Sequence, residues 1–426
     1  MMDWLNYRSG ELFAEDVSLQ SIAEQFGTPT FVYSRSSIVG AFREFKEASA
    51  GRDILICYAL KANPNLAVID LLAREGAGFD IVSGGELQRV LAAGGAPEKI
   101  VFSGVGKSLE EMTLALKIGV ACFNVESISE LHRLSACAQS VGKRAKVSLR
   151  VNPNVDAKTH PYISTGLKGN KFGIAHEQAL SSYALAASLP GLEVVGIDCH
   201  IGSQITELAP FLAALEKVLE LMEAIEAQGI RLHHLDLGGG LGISYEGESP
   251  PSRKSLFDAL FAQIDQHPIA RRCKLMFEFG RSLVGNGGAL LTRIEYLKLV
   301  ANSAPDAKSF AIVDAAMNDL LRPALYQAFH GVAEVQQKPQ LPVHRFDIVG
   351  PVCESGDWLA KDRGLQVEEN DLLVFKSAGA YGMSMSSNYN SRARAAEVIV
   401  DGKTVTLVRQ REKLADLFAL ESVLPK

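Results

Sequence analysis

The chain has 426 residues, 47% hydrophobic and 22% charged, enough for about two or three domains with cores that need no disulfide or metal staples. Its formal charge is -6 without any run of like charges, which leaves a nucleic-acid backbone or an anionic membrane surface little to bind. Six scattered cysteines lack CxxC spacing, the N-terminus lacks a basic and then apolar leader, and no apolar stretch approaches a membrane span, so a reduced, cytoplasmic, metal-free enzyme is expected.

The first strand-like run is TFVYS, near residue 30. From residue 54 to 281 a short β-branched or apolar run alternates with a longer stretch of helical spacing such as SLEEMTLALKIG. These runs are eight: ILICYALKAN, GFDIVSGGE, IVFSGVG, ACFNVES, KVSLRVNP, VVGIDCHIGS, HHLDLGGGLG and KLMFEFGRS. Eight such units over roughly 230 residues predict a closed (β/α)8 TIM-like barrel, with its site where polar and glycine residues follow each strand. After residue 285 the runs LTRIEYLKLV, FAIVDAA, FDIVGPV, DLLVFKSAGAY and AAEVIVDGKTVTLVRQRE are strand-like, PALYQAFH is the one helical candidate, and DG at 401–402 marks a hairpin. TFVYS precedes the barrel runs and is assigned to this β domain. The expected architecture is α/β, a barrel over 35–284 and a mainly β domain built from 1–34 and 285–426.

Within that frame the polar residues fall in groups. Lys61 ends the first barrel run, where an amine can form a Schiff base once its pKa falls, although a lone loop lysine is ordinarily just solvated. SGVGKS at 103–108 has Val101 where a P-loop requires glycine, so it reads as a barrel loop. His200 and Ser203 in CHIGSQ follow the sixth run, with spacing that lets a ring lie against a planar cofactor while a hydroxyl reaches its phosphate. Gly238, Gly239 and Gly240 follow the seventh run, where backbone N–H groups can approach a phosphate and where the Rossmann spacing is absent. Glu278 and Arg281 follow the eighth; they can form a salt bridge, or the carboxylate can hold a heteroaromatic nitrogen protonated. In the β domain, Arg322 stands before Pro323 with Tyr326 one turn later, a pair able to face one anion. Cys353 and Glu354 share a loop in which the thiol is either a passive buried group or a chemical one.

The motifs YALKAN, DIVSGGEL, HPYISTGLKGNKFG, HIGSQ, LGGGLG, EFGRSLVGN, MNDLLRPALY, CESGD and GAYG, in that order, resemble the diaminopimelate decarboxylase family. This family belongs to the fold-type III pyridoxal-phosphate enzymes, related to ornithine and arginine decarboxylases and to alanine racemase. The resemblance covers about residues 25 to 420. It implies an alanine racemase-like fold, pyridoxal 5'-phosphate as cofactor, and decarboxylation of meso-2,6-diaminopimelate to L-lysine, the last step of lysine biosynthesis, with the substrate amine displacing Lys61 from the cofactor aldehyde. It further implies that Lys61 forms the Schiff base, Glu278 pairs with the pyridine nitrogen, and His200 stacks on the ring. Gly238, Gly239, Gly240, Ser203 and Tyr381 would hold the phosphate, with Phe279 and Gly280 of the EFGR turn alongside. Arg281, Arg322, Tyr326, Glu354 and Tyr381 match the substrate-recognising set, Arg281 with the alternative of touching phosphate, and Cys353 matches the proton donor. The Cys-Glu loop would come from the partner subunit, making a homodimer with shared sites. Two departures stand out. Phe279 replaces the usual proline, leaving the backbone beside Glu278 less restrained in φ, and DAA at 314–316 replaces DAG.

Another fold-III decarboxylase, acting on ornithine, arginine or carboxynorspermidine, would share the cofactor residues without needing Arg322. An inactive regulatory relative would not need to keep Lys61 and Cys353 together.

Overall fold

The computed structural model describes residues 4–157, 160, 165–166, 169–300 and 308–426; residues 161–164 and 167–168 of the HPYISTGLKGNKFG motif lie outside the described residues. In chain order the elements begin with β1 (Leu5–Arg8), β2 (Glu11–Ala14), β3 (Val17–Ser18), α1 (Leu19–Phe26), β4 (Thr30–Ser34) and α2 (Arg35–Ala48). The β/α series follows as β5 (Ile54–Ala59), α3 (Leu66–Arg74), β6 (Gly78–Ile81), α4 (Gly84–Ala92), β7 (Ile100–Phe102), α5 (Leu109–Ile118), β8 (Cys122–Val125), α6 (Ile128–Ser140) and β9 (Ala145–Asn152). It continues with β10 (Ile174–Ala175), α7 (His176–Ser188), β11 (Leu192–Asp198), α8 (Ala209–Ala227), β12 (His234–Asp236), α9 (Arg253–Ile264), β13 (Lys274–Phe279) and α10 (Arg281–Val284). The remainder is β14 (Gly288–Lys298), β15 (Ser309–Val313), α11 (Arg322–Tyr326), β16 (Val332–Glu334), β17 (His344–Val349), β18 (Trp358–Leu365), β19 (Leu372–Phe375), β20 (Ala396–Asp401) and β21 (Thr404–Arg409).

All eight barrel runs are strands, and they pair in parallel in the order β9-β11-β12-β13-β5-β6-β7-β8, with β8 returning to β9 to close the barrel. Their helices start where the sequence supplies caps: Ser83, Ser108 and Ser127 each accept from the backbone N–H three residues on, opening α4, α5 and α6. At α5 the cap is reciprocal, since Glu111 accepts from the Ser108 N–H. Inside the barrel, Leu55, Cys57, Val101 and Met276 form a dry cluster. Nearer the strands' C-terminal ends the interior turns polar, with Asp80, Arg150, Asp198, Asp236 and Glu278 all buried.

The other sheet runs β18-β17-β15-β14-β4-β20-β21, with β19 beside β14 and β16. β4, the TFVYS run, lies between β14 and β20, and the β20–β21 hairpin turns through Gly402 at φ +56°. A three-stranded sheet, β1-β2-β3, packs on it through Trp4, Leu5, Leu12 and Ala14 in a core shared with Val32, Leu291, Val374 and Val398. By contacts the chain divides into one unit of 1–40, 244–247 and 284–426 and another of 41–243 and 248–283. Of the barrel span expected over 35–284, residues 35–40, 244–247 and 284 group instead with the β unit, in which Tyr245 packs on Arg322. The helix read from PALYQAFH is shorter than expected: α11 ends at Tyr326 because Gln327 turns left-handed at φ +53°.

Candidate active site

In the barrel unit, Lys61 lies in a single 3-10 turn directly after β5, its Nζ 2.7 Å from Asp80 Oδ2 on the neighbouring β6. The Asp80 side chain is fully buried and that of Lys61 is partly exposed, so a buried carboxylate holds the amine of a residue that solvent still reaches. Glu278, near the end of β13, accepts at Oε1 from Asn124 Nδ2 at 3.2 Å and Ser103 Oγ at 3.3 Å. Around it are two acids that the sequence reading did not single out. Asp198 stands in register with both Arg150 and Asp236, and carboxylate oxygens of Asp198, Asp236 and Glu278 lie within 4.8 Å of one another. Burial, and then the charges of Asp80, Asp236 and Asp198, push the Glu278 carboxyl well above the ordinary range. Burial pushes Asp236 up to about 7 against the Gly238 N–H bond that opposes it, and burial with the charge of Asp236 raises Asp198 strongly. Arg150 is itself tied to Glu126, at 3.1 Å, and Asp198 Oδ1 and Asp236 Oδ2 have no hydrogen-bond partner. The barrel thus holds a cluster of buried acids at its axis, where burial and mutual repulsion hold protons on and a cationic partner would favour ionisation of Glu278.

His200 follows β11. Its Nδ1 accepts from the Gly239 N–H at 3.1 Å, and burial with the nearby Arg150 and Lys61 charges holds the imidazole neutral. The glycine run needs its glycines: Gly238 and Gly240 have φ +63° and +100°, and a Cβ on Gly239 would sit 1.9 Å from the Glu278 carbonyl oxygen. Ser203 Oγ accepts from Arg281 Nη2 at 3.0 Å, and Gly202 lies against Gly240, so Arg281 stands on the glycine-run side of the barrel. Lys107 of SGVGKS is buried and donates to Gly104 O, Asn124 O and Glu130, which makes it a structural lysine. Gly280 packs on Ala59 and Ala62 beside Lys61. The Phe279 side chain, by strand alternation, faces away from Glu278 and stacks on Phe45 at 4.0 Å among Phe257 and Phe277. Its ring thus belongs to an aromatic cluster that packs β13 where the usual residue would be a proline.

In the β unit, Arg322 opens α11, buried, with Nη1 3.0 Å from His330 Nε2 and its guanidinium 4.6 Å over the Tyr245 ring. Tyr326 follows one turn later. Cys353 and Glu354 are exposed on the loop after β17, which Asp357 staples by accepting from the Met317 and Val352 N–H groups at 2.6 and 2.8 Å. Asn390 accepts from the Cys353 N–H, and a hydrogen bond to Glu354 pushes the Tyr389 phenol up. Cys353 is the one exposed thiol of six free cysteines, so the passive buried reading does not hold for it. Tyr381 lies in the same unit with a left-handed backbone, φ +57°.

Residues 35–285 match the family model described as pyridoxal-dependent decarboxylase, pyridoxal binding domain. The diaminopimelate decarboxylase of Pseudomonas aeruginosa is 57% identical over 425 residues, covering 100% of both chains. A crystal structure of diaminopimelate decarboxylase from Helicobacter pylori complexed with L-lysine superposes with a TM-score of 0.89 at 43% identity, covering 94% of this chain and 98% of that one. The enzyme from M. jannaschii in co-complex with L-lysine gives 0.92 at 38% identity, covering 99% and 98%.

Proposed function

The chain belongs to the diaminopimelate decarboxylases, a family of pyridoxal-dependent enzymes, and from that membership we infer that it removes one carboxylate of meso-2,6-diaminopimelate to give L-lysine and CO2. The observation that carries this reading is the barrel end itself, where the Lys61 amine and the buried Glu278 carboxyl rise from adjacent strands beside a glycine run, in a chain aligned end to end with a named relative. Incubating the protein and cofactor with meso-, LL- and DD-diaminopimelate, ornithine and arginine, and measuring CO2 and product, tests it. Lysine from the meso isomer is expected; CO2 from ornithine or arginine alone would move the chain to another branch.

The residues present fit pyridoxal phosphate. The barrel offers an amine at its rim, an acid at its axis whose charged neighbours are mostly other acids, and glycines that bring the backbone close to Gly202 and Glu278. When bound, the cofactor supplies a cationic conjugated ring that takes up the electron pair left as CO2 departs. Lys61 would anchor it, Asp80 holding the amine in place. Glu278 would give the ring nitrogen an anionic partner in a site dry enough for the pair to count. His200, kept neutral, would pack on the ring without adding charge, and Gly238, Gly239, Gly240, Ser203, Arg281 and Tyr381 would hold the phosphate. Phe279 and Gly280 would contribute main chain and packing. Arg322, Tyr326 and Glu354 would grip the amino-acid end of the substrate that does not react, which selects the end that does. Cys353 would hold the proton delivered to the carbon that has lost its carboxylate. The exposed Cys353–Glu354 loop is then supplied by a second copy of the chain in a homodimer. Among the described residues no helix is long and apolar enough to cross a membrane, and with all six cysteines free the cytoplasm is the proposed location.

A further inference from the structure

Arg322 does not stand alone in the β unit. His330, four residues beyond α11 and completely buried, has a partner at each ring nitrogen: Nδ1 is 2.9 Å from the Lys376 carbonyl oxygen and Nε2 is 3.0 Å from Arg322 Nη1. A carbonyl oxygen only accepts and a guanidinium only donates. The ring is therefore in one state, neutral, with its proton on Nδ1 and its lone pair on Nε2 turned to the arginine. Tyr245 closes the second side. Its ring lies 4.6 Å beneath the guanidinium and meets the His330 ring edge-on at 5.4 Å. Tyr245 arrives from far away in sequence, on the segment 244–247 that follows the glycine run and groups with the β unit.

A guanidinium recognises a carboxylate through parallel N–H bonds in its own plane. That plane has two ways of failing, by rotating about the Arg322 side-chain torsions and by sliding off its seat. The Nε2 lone pair fixes one edge, and the Tyr245 face fixes the plane's tilt. We propose that His330 and Tyr245 are positioning residues that lock the Arg322 guanidinium in the orientation that selects substrates bearing a second, unreacted carboxylate. This rests on the reading of Arg322 as the group that meets that carboxylate, and it adds two residues that set how sharply the enzyme discriminates. Removing either leaves the charge of Arg322 in place and loosens its direction.

The test compares L-lysine with 1,5-diaminopentane, which is L-lysine without its carboxylate, by calorimetric titration of the cofactor-loaded enzyme, alongside the KM for meso-diaminopimelate. The wild type should bind lysine far more tightly. Arg322→Ala should lose that preference. His330→Leu should lower it by about tenfold to a hundredfold, the usual consequence of deleting a hydrogen bond to a charged group, with the loss in KM. His330→Gln, whose amide oxygen can take the place of Nε2, should recover most of it. Tyr245→Leu should lower it by a few fold to about tenfold, and Tyr245→Phe, which keeps the ring face, should lower it little. Cofactor content, read by visible absorbance, should stay at the wild-type level in the His330 and Tyr245 variants. If Arg322→Ala keeps the preference, Arg322 does not read the carboxylate and the underlying reading falls. If Arg322→Ala loses it while folded His330→Leu and Tyr245→Leu retain it, the reading stands and the positioning role is overturned. Should His330→Leu not fold, an unchanged preference in Tyr245→Leu overturns it equally.

Discussion

Asp236→Asn should make the cofactor-free protein more stable at pH 8, although the residue lies in the candidate site. The carboxyl is fully buried, its Oδ1 accepting from the Gly238 N–H at 2.9 Å while Oδ2 has no partner. Folding lifts its pKa from an ordinary 3.8 to about 7, with burial the main cause. Between those two values the folded chain keeps a proton that the unfolded chain has released, so stability falls as pH rises through the window and levels off above it. About three powers of ten in proton affinity correspond to about 4 kcal/mol, an upper figure for the penalty at pH 8. Asparagine does not titrate. Its Oδ1 can keep the Gly238 bond, and its amide nitrogen replaces the orphaned oxygen among the Asp198 and Glu278 carboxyls with a donor. Denaturant unfolding of wild type and variant, in cofactor-free form, should show a gain of about 2–4 kcal/mol at pH 8 that shrinks towards zero near pH 4. A destabilised variant, or a gain that ignores pH, would refute the assignment of Asp236 as a buried acid that keeps its proton. The variant should also let Glu278 ionise more readily, since Asp236 is one of the charges that hold its proton on.

Lys61→Ala should abolish turnover together with the visible absorbance of the bound cofactor, because one amine serves both; full activity after reconstitution would exclude it as the anchor. Cys353→Ala should lower the productive rate by about 10²- to 10⁴-fold while cofactor absorbance persists, and a wild-type rate would return the thiol to a passive role. Phe279→Ala should destabilise the protein by about 3–5 kcal/mol, the cost of a cavity in place of a buried aromatic ring. Phe279→Leu should restore part of that in equilibrium unfolding, and a cost under about 1 kcal/mol for the alanine variant would mean the stack on Phe45 does not brace β13.

The barrel was legible because its strands are short β-branched or apolar runs followed by polar and glycine residues, and several of the helices between them open on a serine or asparagine cap. Lys61, His200, the glycine run, Glu278 and Arg281 were legible as residues that such strand ends present. Asp80, Arg150, Asp198 and Asp236 were not singled out, although GFDI, SLRV, GIDC and HLDL each carry a charge inside an apolar run. An expectation of apolar barrel interiors hid that signal; a charge at an inward strand position near the C-terminal end was the clue. The three short strands from Leu5 to Ser18 were missed because they are two to four residues long, too short for alternation to stand out. β18, WLAKDRGL, hid behind its own polar residues, most of them turned to solvent. Tyr245 and His330 carry no motif at all, and only the fold brings them to Arg322.

We propose that one working site unites the Lys61 amine of one chain with the Cys353 thiol of a second copy. Lys61→Ala and Cys353→Ala proteins should each be nearly inactive as homodimers, since every site lacks one of the two groups. Mixed and allowed to exchange subunits, they form heterodimers with one doubly defective site and one intact site. Random exchange makes half of the dimers mixed, so two-fold symmetry predicts recovery of about a quarter of wild-type activity on meso-diaminopimelate. Verified exchange by mass with no recovery of activity would place Lys61 and Cys353 in the same subunit's site and contradict the account.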